Sequence, residues 1–330
     1  MSRTWHLASR PIHVPQPGIF VLKEAQPAAL SKSGMLRVRN LWLSVDPYMR
    51  GLLEEHSPYM PTLPLGSPMI GGAIGEVIES RSERFEAGDL VYHRAGWRDE
   101  SVLMTEEASI LPKADVPPQR FLGHLGMPGM TAYAGLMFVA EPKAGETIFV
   151  SGAAGAVGSA VVQIAKLAGL TVIGSAGGPA KCAFLRQIGA DVAIDYRAPG
   201  SMDDKLSEAA PGGIDIYFDN VGGDHLDAAL LCAKRHARFA LCGMVGVYNA
   251  DKPMVLKNIL HTIRAKPKMQ CFSAPDYYNR RDEFLRAMIP WVEGGLIRSE
   301  ETIYEGLEST PRAFCDLFKG GNIGKMLVRL

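Results

Sequence analysis

The stretch that decides the fold is "TIFVSGAAGAVGSAVVQIAKL", Thr147–Leu167. A short apolar run, "TIFVS", is followed by a glycine-rich loop. Beyond the loop, Val157, Val161, Ile164 and Ala168 recur at a spacing that places them on one face of a helix. A strand, a glycine loop and a helix in this order predict the first βαβ unit of a parallel sheet.

The loop itself, Ala153–Gly158, has an A-x-G-x-x-G-like pattern. Glycines there allow a tight turn and a close approach of the backbone to a pyrophosphate, and the helix that follows offers unpaired N–H groups. The alternative is a plain packing turn, but a position between a strand and a helix favours dinucleotide binding. We therefore expect Gly155, Ala156, Val157 and Gly158 to contact a dinucleotide.

The end of the second strand indicates which dinucleotide is bound. NAD sites usually place Asp or Glu about 20 residues after the loop to hold the ribose, whereas this region reads "TVIGSAGGPAK". The missing carboxylate, the space at Gly177 and Gly178 and the charge of Lys181 favour NADP. Tyr196, after the third strand, adds a possible hydroxyl donor. Lys181 could instead be an exposed helix lysine, and Tyr196 could simply be packed.

The alternation of strands and helices continues after this unit. We predict strands in "LTVIGSA", "VAIDY", "IDIYFDNVGG", "ARFALCGMVG" and "KMQCFSA", and helices in "CAFLRQIG" and "RDEFLRAMIPWVEGG". A polar return through "IRSEETIYEGLEST" leads to "GKMLVRL", a strand expected to rejoin the first domain. The first 120 or so residues contain short β-like runs between turn residues and predict a compact, mostly β unit.

Composition excludes several classes of partner. Lys plus Arg and Asp plus Glu both number 35 in 330 residues, so we expect no bulk attraction to nucleic acid or to an anionic membrane. No apolar run is long enough to cross a bilayer, and "MSRTWHLASRP" lacks the apolar core of a secretory signal. The five cysteines are scattered without a C-x-x-C pair. We expect a cytoplasmic enzyme with isolated thiols, no metal and a small-molecule substrate.

Several long motifs now identify a family resemblance. They are "WLSVDPYMRG", "LGMPGMTAYAGL", "GAAGAVGSAVVQIAKL", "GGPAKCAFL", "YFDNVGG", "CGMVGVYN" and "GNIGKMLVRL". The chain resembles the zinc-independent medium-chain dehydrogenase/reductases, in the branch of the leukotriene/prostaglandin reductases and the curcumin and 2-alkenal double-bond reductases. The resemblance runs from residue 42 to the C-terminus. The segment between Tyr248 and Lys268 is shorter than the family's usual loop at the substrate cleft.

The resemblance implies an α/β protein with two domains and a homodimer. A GroES-like partial β-barrel catalytic domain would span 1–122, completed by 300–330, and a Rossmann NADP-binding domain, a doubly wound parallel sheet, would span 123–299. The glycine loop, Gly177, Lys181 and Tyr196 are already candidates for NADP contacts. Carried over residue by residue, the resemblance adds further contacts at Thr131, Asn220, Cys242, Gly243, Met244, Val245, Tyr248, Phe272, Ser273, Ala274 and Asn322.

The reaction is predicted to run without a metal. Ser44 and Gly72 stand roughly where zinc alcohol dehydrogenases have ligands, and neither can complete a tetrahedral zinc site. Reduction of an alkene conjugated to a carbonyl instead needs hydrogen-bond donors for the enolate oxygen. Tyr248, just beyond the fifth strand, is the first candidate, together with the nicotinamide ribose hydroxyl. It could instead only order that ribose.

Tyr48 and Arg50 are the second candidates for the reacting site. Asp46 and Arg50, four positions apart, could equally form a structural ion pair, and Tyr48 could line the pocket or simply pack. The favoured function is NADPH-dependent reduction of the double bond of α,β-unsaturated ketones or aldehydes. The alternatives are an NADPH quinone oxidoreductase and a non-catalytic NADPH-binding protein.

Overall fold

The computed structural model describes residues 1–57, 60–250 and 252–330. The chain divides into two compact units: a first unit of residues 1–122 and 301–330, and a second unit of residues 123–300. Among the described helices, none is both long enough and apolar enough to cross a membrane.

The amino-terminal part of the first unit is mostly β structure, as predicted. Within its third strand, Leu36, Val38 and Asn40 are buried while Arg37 and Arg39 are more exposed, which is the alternation of a strand with one face in the core. The elements are β1 Ser2–Leu7, β2 Phe20–Ala25, β3 Met35–Ser44, α1 Met49–Leu52, β4 Ala73–Ser80, β5 Leu90–His93, β6 Glu100–Met104 and β7 Ala108–Ile110.

The second unit alternates strands and helices. Its elements are α2 Met127–Ala134, β8 Thr147–Val150, α3 Ala156–Leu167, β9 Thr171–Ala176, α4 Pro179–Gln187, β10 Val192–Asp195, α5 Met202–Ala209, β11 Ile214–Asp219, α6 Gly223–Cys232, β12 Ala233–Leu241, α7 His261–Ala265, β13 Lys268–Cys271 and α8 Arg281–Glu293. A π-helical turn extends α2 over Gly135–Ala140.

The six strands described in the second unit form one parallel sheet in the order β10-β9-β8-β11-β12-β13. Counted from β8, this is the 3-2-1-4-5-6 order of a doubly wound dinucleotide-binding sheet. The order reverses between β8 and β11, so the crevice at their carboxyl ends is where such sheets bind ligands. The predicted fold class is confirmed.

The carboxyl-terminal segment returns to the first unit through β14 Glu301–Glu305, α9 Thr310–Leu317 and β15 Lys325–Arg329. β15 pairs with β3, Leu327 opposite Ser44, so the predicted return of the last strand is confirmed. The sheet has the order β14-β15-β3-β4-β5-β7, and β6 also pairs with β3.

Two predictions of local structure need correction. "IRSEETIYEGLEST" was expected to be only a polar return, but it contains β14, which pairs parallel to β15 and therefore belongs to the sheet. α3 was expected to bury one face, yet every residue from Gly158 to Ala165 is buried. Small residues on its other faces allow α3 to pack against α2 as well as against the sheet.

Candidate active site

The glycine loop between β8 and α3 is closed tightly on itself. A Cβ atom on Gly158 would lie 2.4 Å from the carbonyl oxygen of Gly152 and 2.6 Å from the Cα atom of Ala153, so only glycine fits there. Gly155 precedes the first turn of α3, whose N–H groups receive no cap from a side chain of the described residues. These amides and the positive end of the helix dipole suit a phosphate group.

Two cationic side chains come together where β9 and β10 end. Lys181 lies in the first turn of α4, and Arg197 follows Tyr196 directly after β10. Partial burial, and then the charge of Arg197, lower the pKa of Lys181, so Lys181 stands in the field of a second positive charge. Sequence reasoning missed Arg197, although the motif "DYRA" places a cation beside the tyrosine it selected.

The space at Gly177 is used differently from what we predicted. A Cβ atom there would lie 2.7 Å from the hydroxyl oxygen of Tyr196 and 2.8 Å from Nε of Arg197. The missing side chain therefore makes room for this chain's own residues. Next to it, Gly178 has a φ of +95° and no heavy atom of the described residues within 4 Å of its Cβ position, so it leaves open space.

Asp195 connects the two loops that carry these groups. Its Oδ1 atom accepts hydrogen bonds from the N–H of Gly178, at 2.8 Å, and from the N–H of Arg197, at 2.9 Å. These backbone hydrogen bonds lower the pKa of Asp195. We call Gly178, Lys181, Tyr196 and Arg197 the two-cation site.

The end of β11 is organised by a buried carboxylate that sequence reasoning also missed. Oδ1 of Asp219 accepts hydrogen bonds from the hydroxyls of Ser151 (2.9 Å) and Tyr217 (2.7 Å) and from the N–H groups of Val221 (2.9 Å) and Gly222 (2.8 Å). Burial raises the pKa of Asp219 despite these donors. The network fixes the turn after β11 against the end of β8.

Asn220, predicted to contact the cofactor, uses both ends of its side-chain amide within the chain. Its nitrogen donates to the backbone oxygen of Ser151 at 2.7 Å, and its oxygen lies 3.1 Å from Sγ of Cys242. Burial raises the pKa of the Cys242 thiol, so the thiol keeps its single proton, which has two acceptors in reach: Oδ1 of Asn220 and, at 3.2 Å, the backbone oxygen of Asp219. The structure therefore gives Asn220 an internal role, and its contact with the cofactor stays a prediction.

Tyr248 lies in the loop that follows β12. Its hydroxyl accepts a long hydrogen bond from the N–H of Met244, at 3.4 Å, and sits the same distance from where a Cβ atom of Gly243 would be. Burial raises the pKa of Tyr248, so the phenol keeps its proton at neutral pH and can donate it in a hydrogen bond. The N–H of Val245 is held by the carbonyl oxygen of Asn220 at 3.1 Å.

The remaining cofactor candidates lie in three separate segments of the chain. Phe272 follows β13, and its N–H donates to the carbonyl oxygen of Leu241 on β12. Ser273 gives both its N–H and its hydroxyl to Asp276, and Ala274 beside it is buried. Thr131, on α2, donates to the carbonyl oxygen of Met127 at 2.9 Å. In the first unit, Asn322 donates to the carbonyl oxygen of Gly324 at 2.7 Å.

Most of the predicted residues of the second unit therefore share one edge of the sheet. Each of the six strands is followed at its carboxyl end by a candidate segment. In the order β8 to β13, these are the glycine loop, Gly177, Tyr196, Asn220, the segment 242–248 and the segment 272–274. This is the edge at which open parallel sheets bind ligands. Lys181, in the first turn of α4, belongs to the same edge.

In the first unit, the pairing of charges differs from the ion pair that the sequence suggested. Asp46 pairs with Lys325, not with Arg50, at 2.9 Å, and both side chains are buried. Arg50 lies 3.5 Å from Glu54, one helical turn further along. Tyr48 stands between these residues in sequence, and burial raises its pKa, with Asp46 adding to this and Arg94 opposing it.

Ser44 and Gly72, the two positions compared with zinc ligands, lie side by side, and the N–H of Ser44 donates to the carbonyl oxygen of Gly72 at 2.8 Å. A Cβ atom on Gly71 would lie 2.4 Å from Cε of Met49, and one on Gly72 would lie 3.3 Å from the ring of Tyr92 and 3.4 Å from Ser44. Within residues 1–57, 60–250 and 252–330, no group of three or more His, Cys, Asp or Glu side chains could hold a metal ion.

Two models of protein families match this chain. The one described as "N-terminal domain of oxidoreductase" matches residues 3–111, and the one described as "Zinc-binding dehydrogenase" matches residues 156–288. The "NADPH-dependent curcumin reductase" of Escherichia coli (strain K12) is 39% identical over 339 residues, 100% of this chain and 97% of that protein. The chain belongs to the medium-chain dehydrogenase/reductase family. The resemblance seen in the motifs is thus confirmed.

Two further members of this family are similar over most of their length. The "2-alkenal reductase (NADP(+)-dependent)" of Nicotiana tabacum is 42% identical over 294 residues, 88% of this chain and 86% of that protein. Among solved structures, CurA from Vibrio vulnificus in complex with NADPH superimposes with a TM-score of 0.92 at 38% identity, and the match covers 99% of this chain and 98% of that chain. These members identify the double-bond reductase branch.

Proposed function

We propose that this chain uses NADPH to reduce the carbon–carbon double bond of α,β-unsaturated ketones or aldehydes. The observation that carries the proposal is its similarity, over 100% and 88% of its length, to a curcumin reductase and a 2-alkenal reductase. Both of these relatives are named as dependent on NADPH or NADP(+), and CurA binds NADPH in its crystal structure.

The residues of the second unit fit NADP. The uncapped amides of α3 and the glycine loop suit the pyrophosphate. Lys181 and Arg197 supply the charge for a 2′-phosphate, and Tyr196 supplies a hydroxyl beside them. The family resemblance assigns the remaining contacts to Thr131, Asn220, 242–245, Tyr248 and 272–274 of the second unit and to Asn322 of the first unit. When bound, NADPH supplies the hydride that adds to the β-carbon of the substrate.

The chain's own part in the reaction is to stabilise the negative charge that develops on the carbonyl oxygen. The two half-buried phenols of Tyr48 and Tyr248 suit this task because burial raises their pKa and keeps them protonated. We propose Tyr248 as the principal donor and Tyr48 as the second. A hydroxyl aimed at the enolate oxygen contributes about 3–4 kcal/mol to lowering the barrier. The proton that the α-carbon gains would come from solvent.

We also propose roles for the two units and a setting for the protein. The first unit would be the catalytic domain and the second the NADP-binding domain. The protein would act in the cytoplasm as a homodimer. β13 forms an edge of the parallel sheet and exposes Met269 and Cys271, and an exposed edge strand can pair with a second copy.

A substrate screen tests the proposed function. Purified protein is given NADPH with 2-alkenals, cyclic and open-chain enones, quinones and saturated aldehydes, and the loss of NADPH absorbance is followed. We expect turnover with the alkenals and enones and none with the saturated aldehydes. Turnover restricted to quinones would contradict the proposal and identify a quinone reductase. Tight NADPH binding without turnover of any substrate would indicate a binding protein.

A further inference from the structure

Lys325, the first residue of β15, is an ammonium group enclosed by the protein. Its side chain is only 3% exposed. Its nitrogen lies 2.9 Å from the carbonyl oxygen of Val45, 2.9 Å from Oδ1 of Asp46 and 3.0 Å from the carbonyl oxygen of Met326. An ammonium group has three donors, so every one of them has an acceptor within this cluster.

Asp46 completes the cluster on the other side. Its second carboxylate oxygen accepts a hydrogen bond from the hydroxyl of Ser44, at the end of β3. Its backbone oxygen accepts the N–H of Met49 at 3.2 Å and so closes the turn that leads into α1. Tyr48 is carried by that turn. The ammonium group of Lys325 therefore connects β15, by hydrogen bonds, to the residues that follow β3 and to the turn that contains Tyr48.

Stability alone gives a poor reason for such a pair. The desolvation free energy of two buried charges is about as large as the free energy of their attraction. An apolar pair of similar size would stabilise the core equally well. We propose that Lys325 and Asp46 are positioning residues that hold the turn of Tyr48, and with it the phenol, in place for the substrate's carbonyl oxygen. This inference rests on the proposed function, because it requires Tyr48 to act on an enone.

The experiment is a cycle of variants followed by enone turnover. The double variant Asp46→Asn/Lys325→Met removes both charges, keeps an acceptor for Ser44 and leaves the net charge unchanged. A misplacement of about 1 Å can lower turnover about 100-fold, so we expect kcat to fall about 10- to 100-fold while the Kd of NADPH changes less than about twofold. In a Tyr48→Phe background the same double change should have almost no further effect on kcat, because the phenol it positions is gone.

Two further variants separate positioning from folding. Lys325→Met alone leaves a buried carboxylate without its cation, so its Tm should fall well below that of the double variant. The matched control is Asp215→Asn/Lys234→Met, which removes an ion pair of 2.7 Å in the second unit whose Lys234 side chain is 38% exposed and whose Asp215 side chain is 20% exposed. We expect the control to leave kcat, the Kd of NADPH and Tm nearly unchanged.

Three results would overturn the inference. The first is wild-type kcat in the double variant, which would make the pair purely structural. The second is an equal loss of kcat with and without the Tyr48 hydroxyl, which would show that the pair acts elsewhere. The third is an unchanged kcat in Tyr48→Phe alone. In all three the wild type still reduces enones, whereas a wild type that reduces none overturns the proposed function itself.

Discussion

Two lysines of this chain stand in opposite surroundings. Lys325 in the first unit is 3% exposed and gives its donors to three acceptors of the same chain. Lys181 in the second unit is half-buried beside Arg197 and makes no hydrogen bond or ion pair with any described residue. A cation whose donors all bind acceptors of its own chain has a structural role. A cation next to a like charge is better suited to binding an anionic ligand.

The aspartates beside them differ in the same way. Asp46 accepts hydrogen bonds from a buried ammonium and a buried hydroxyl, whereas Asp195 accepts hydrogen bonds from the backbone N–H groups of Gly178 and Arg197. Because the two lysines have different surroundings, we expect substitutions in the two regions to have different effects. Changes at the two-cation site should alter the choice of cofactor, and changes around Asp46 should alter turnover and stability.

The largest effect is expected at the two-cation site. A hydrogen bond to a charged group contributes about 1.5–3 kcal/mol, so Lys181→Ala should weaken NADPH binding about 10- to 100-fold, and Lys181→Ala/Arg197→Ala at least about 100-fold. NADH lacks the 2′-phosphate, and its binding should change little. Titration of both cofactors by fluorescence measures the effect, and Lys234→Ala, a lysine paired with Asp215, is the control. An equal loss for NADH would mean that these cations do not read the phosphate.

The next effect concerns Tyr248. Tyr248→Phe keeps the ring but removes the hydroxyl, and the loss of one donor to the enolate should lower kcat about 100-fold with a much smaller change in NADPH affinity. Steady-state kinetics with an enone, together with cofactor titration, separate the two quantities. If kcat is unchanged and only NADPH affinity falls, Tyr248 serves the cofactor, and the donor must be Tyr48 or the ribose hydroxyl.

A separate effect, on stability and not on function, concerns a buried histidine of the first unit. Burial lowers the pKa of His93 to about 3, and its Nδ1 atom accepts the N–H of Ala95 at 3.1 Å. The unfolded chain therefore binds a proton near pH 6.5 that the folded chain does not, so stability should fall as the pH falls from about 6.5 towards 3. The slope is up to about 1.4 kcal/mol per pH unit.

Urea unfolding at several pH values, with His93→Gln as the comparison, measures this slope. The variant has no group that titrates at this position and should show a flatter dependence between pH 6 and pH 4. An unchanged slope in the variant would assign the acid sensitivity to other groups, such as the buried His225, whose pKa burial lowers to about 4.

The sequence predicted the parallel sheet well because its signals are local. The loop pattern Ala153–Gly158 and the apolar runs on either side of it lie within one short stretch, and backbone sterics permit only glycine at Gly158. By contrast, β14 was missed because "ETIYE" carries charged residues at both ends. It forms a strand through its pairing with β15, which no local pattern reveals.

The site was predicted less completely, for a related reason. The partner of Asp46 lies 279 positions away, so the sequence suggested the nearby Arg50 instead. Asp219 gave no signal of its own, since its role depends on Ser151 and on the turn after β11 meeting in three dimensions. Arg197 was within reach, because any cation next to Tyr196 is a candidate for a phosphate.

In the proposed reaction, hydride adds to the β-carbon of a conjugated alkene. This step is tested most directly by running the reaction with 4-deuterated NADPH and an enone and locating the label by NMR. We expect a saturated ketone or aldehyde with deuterium at the β-carbon and a solvent-derived proton at the α-carbon. Deuterium on the carbonyl carbon, in an allylic alcohol, would contradict the proposed reaction.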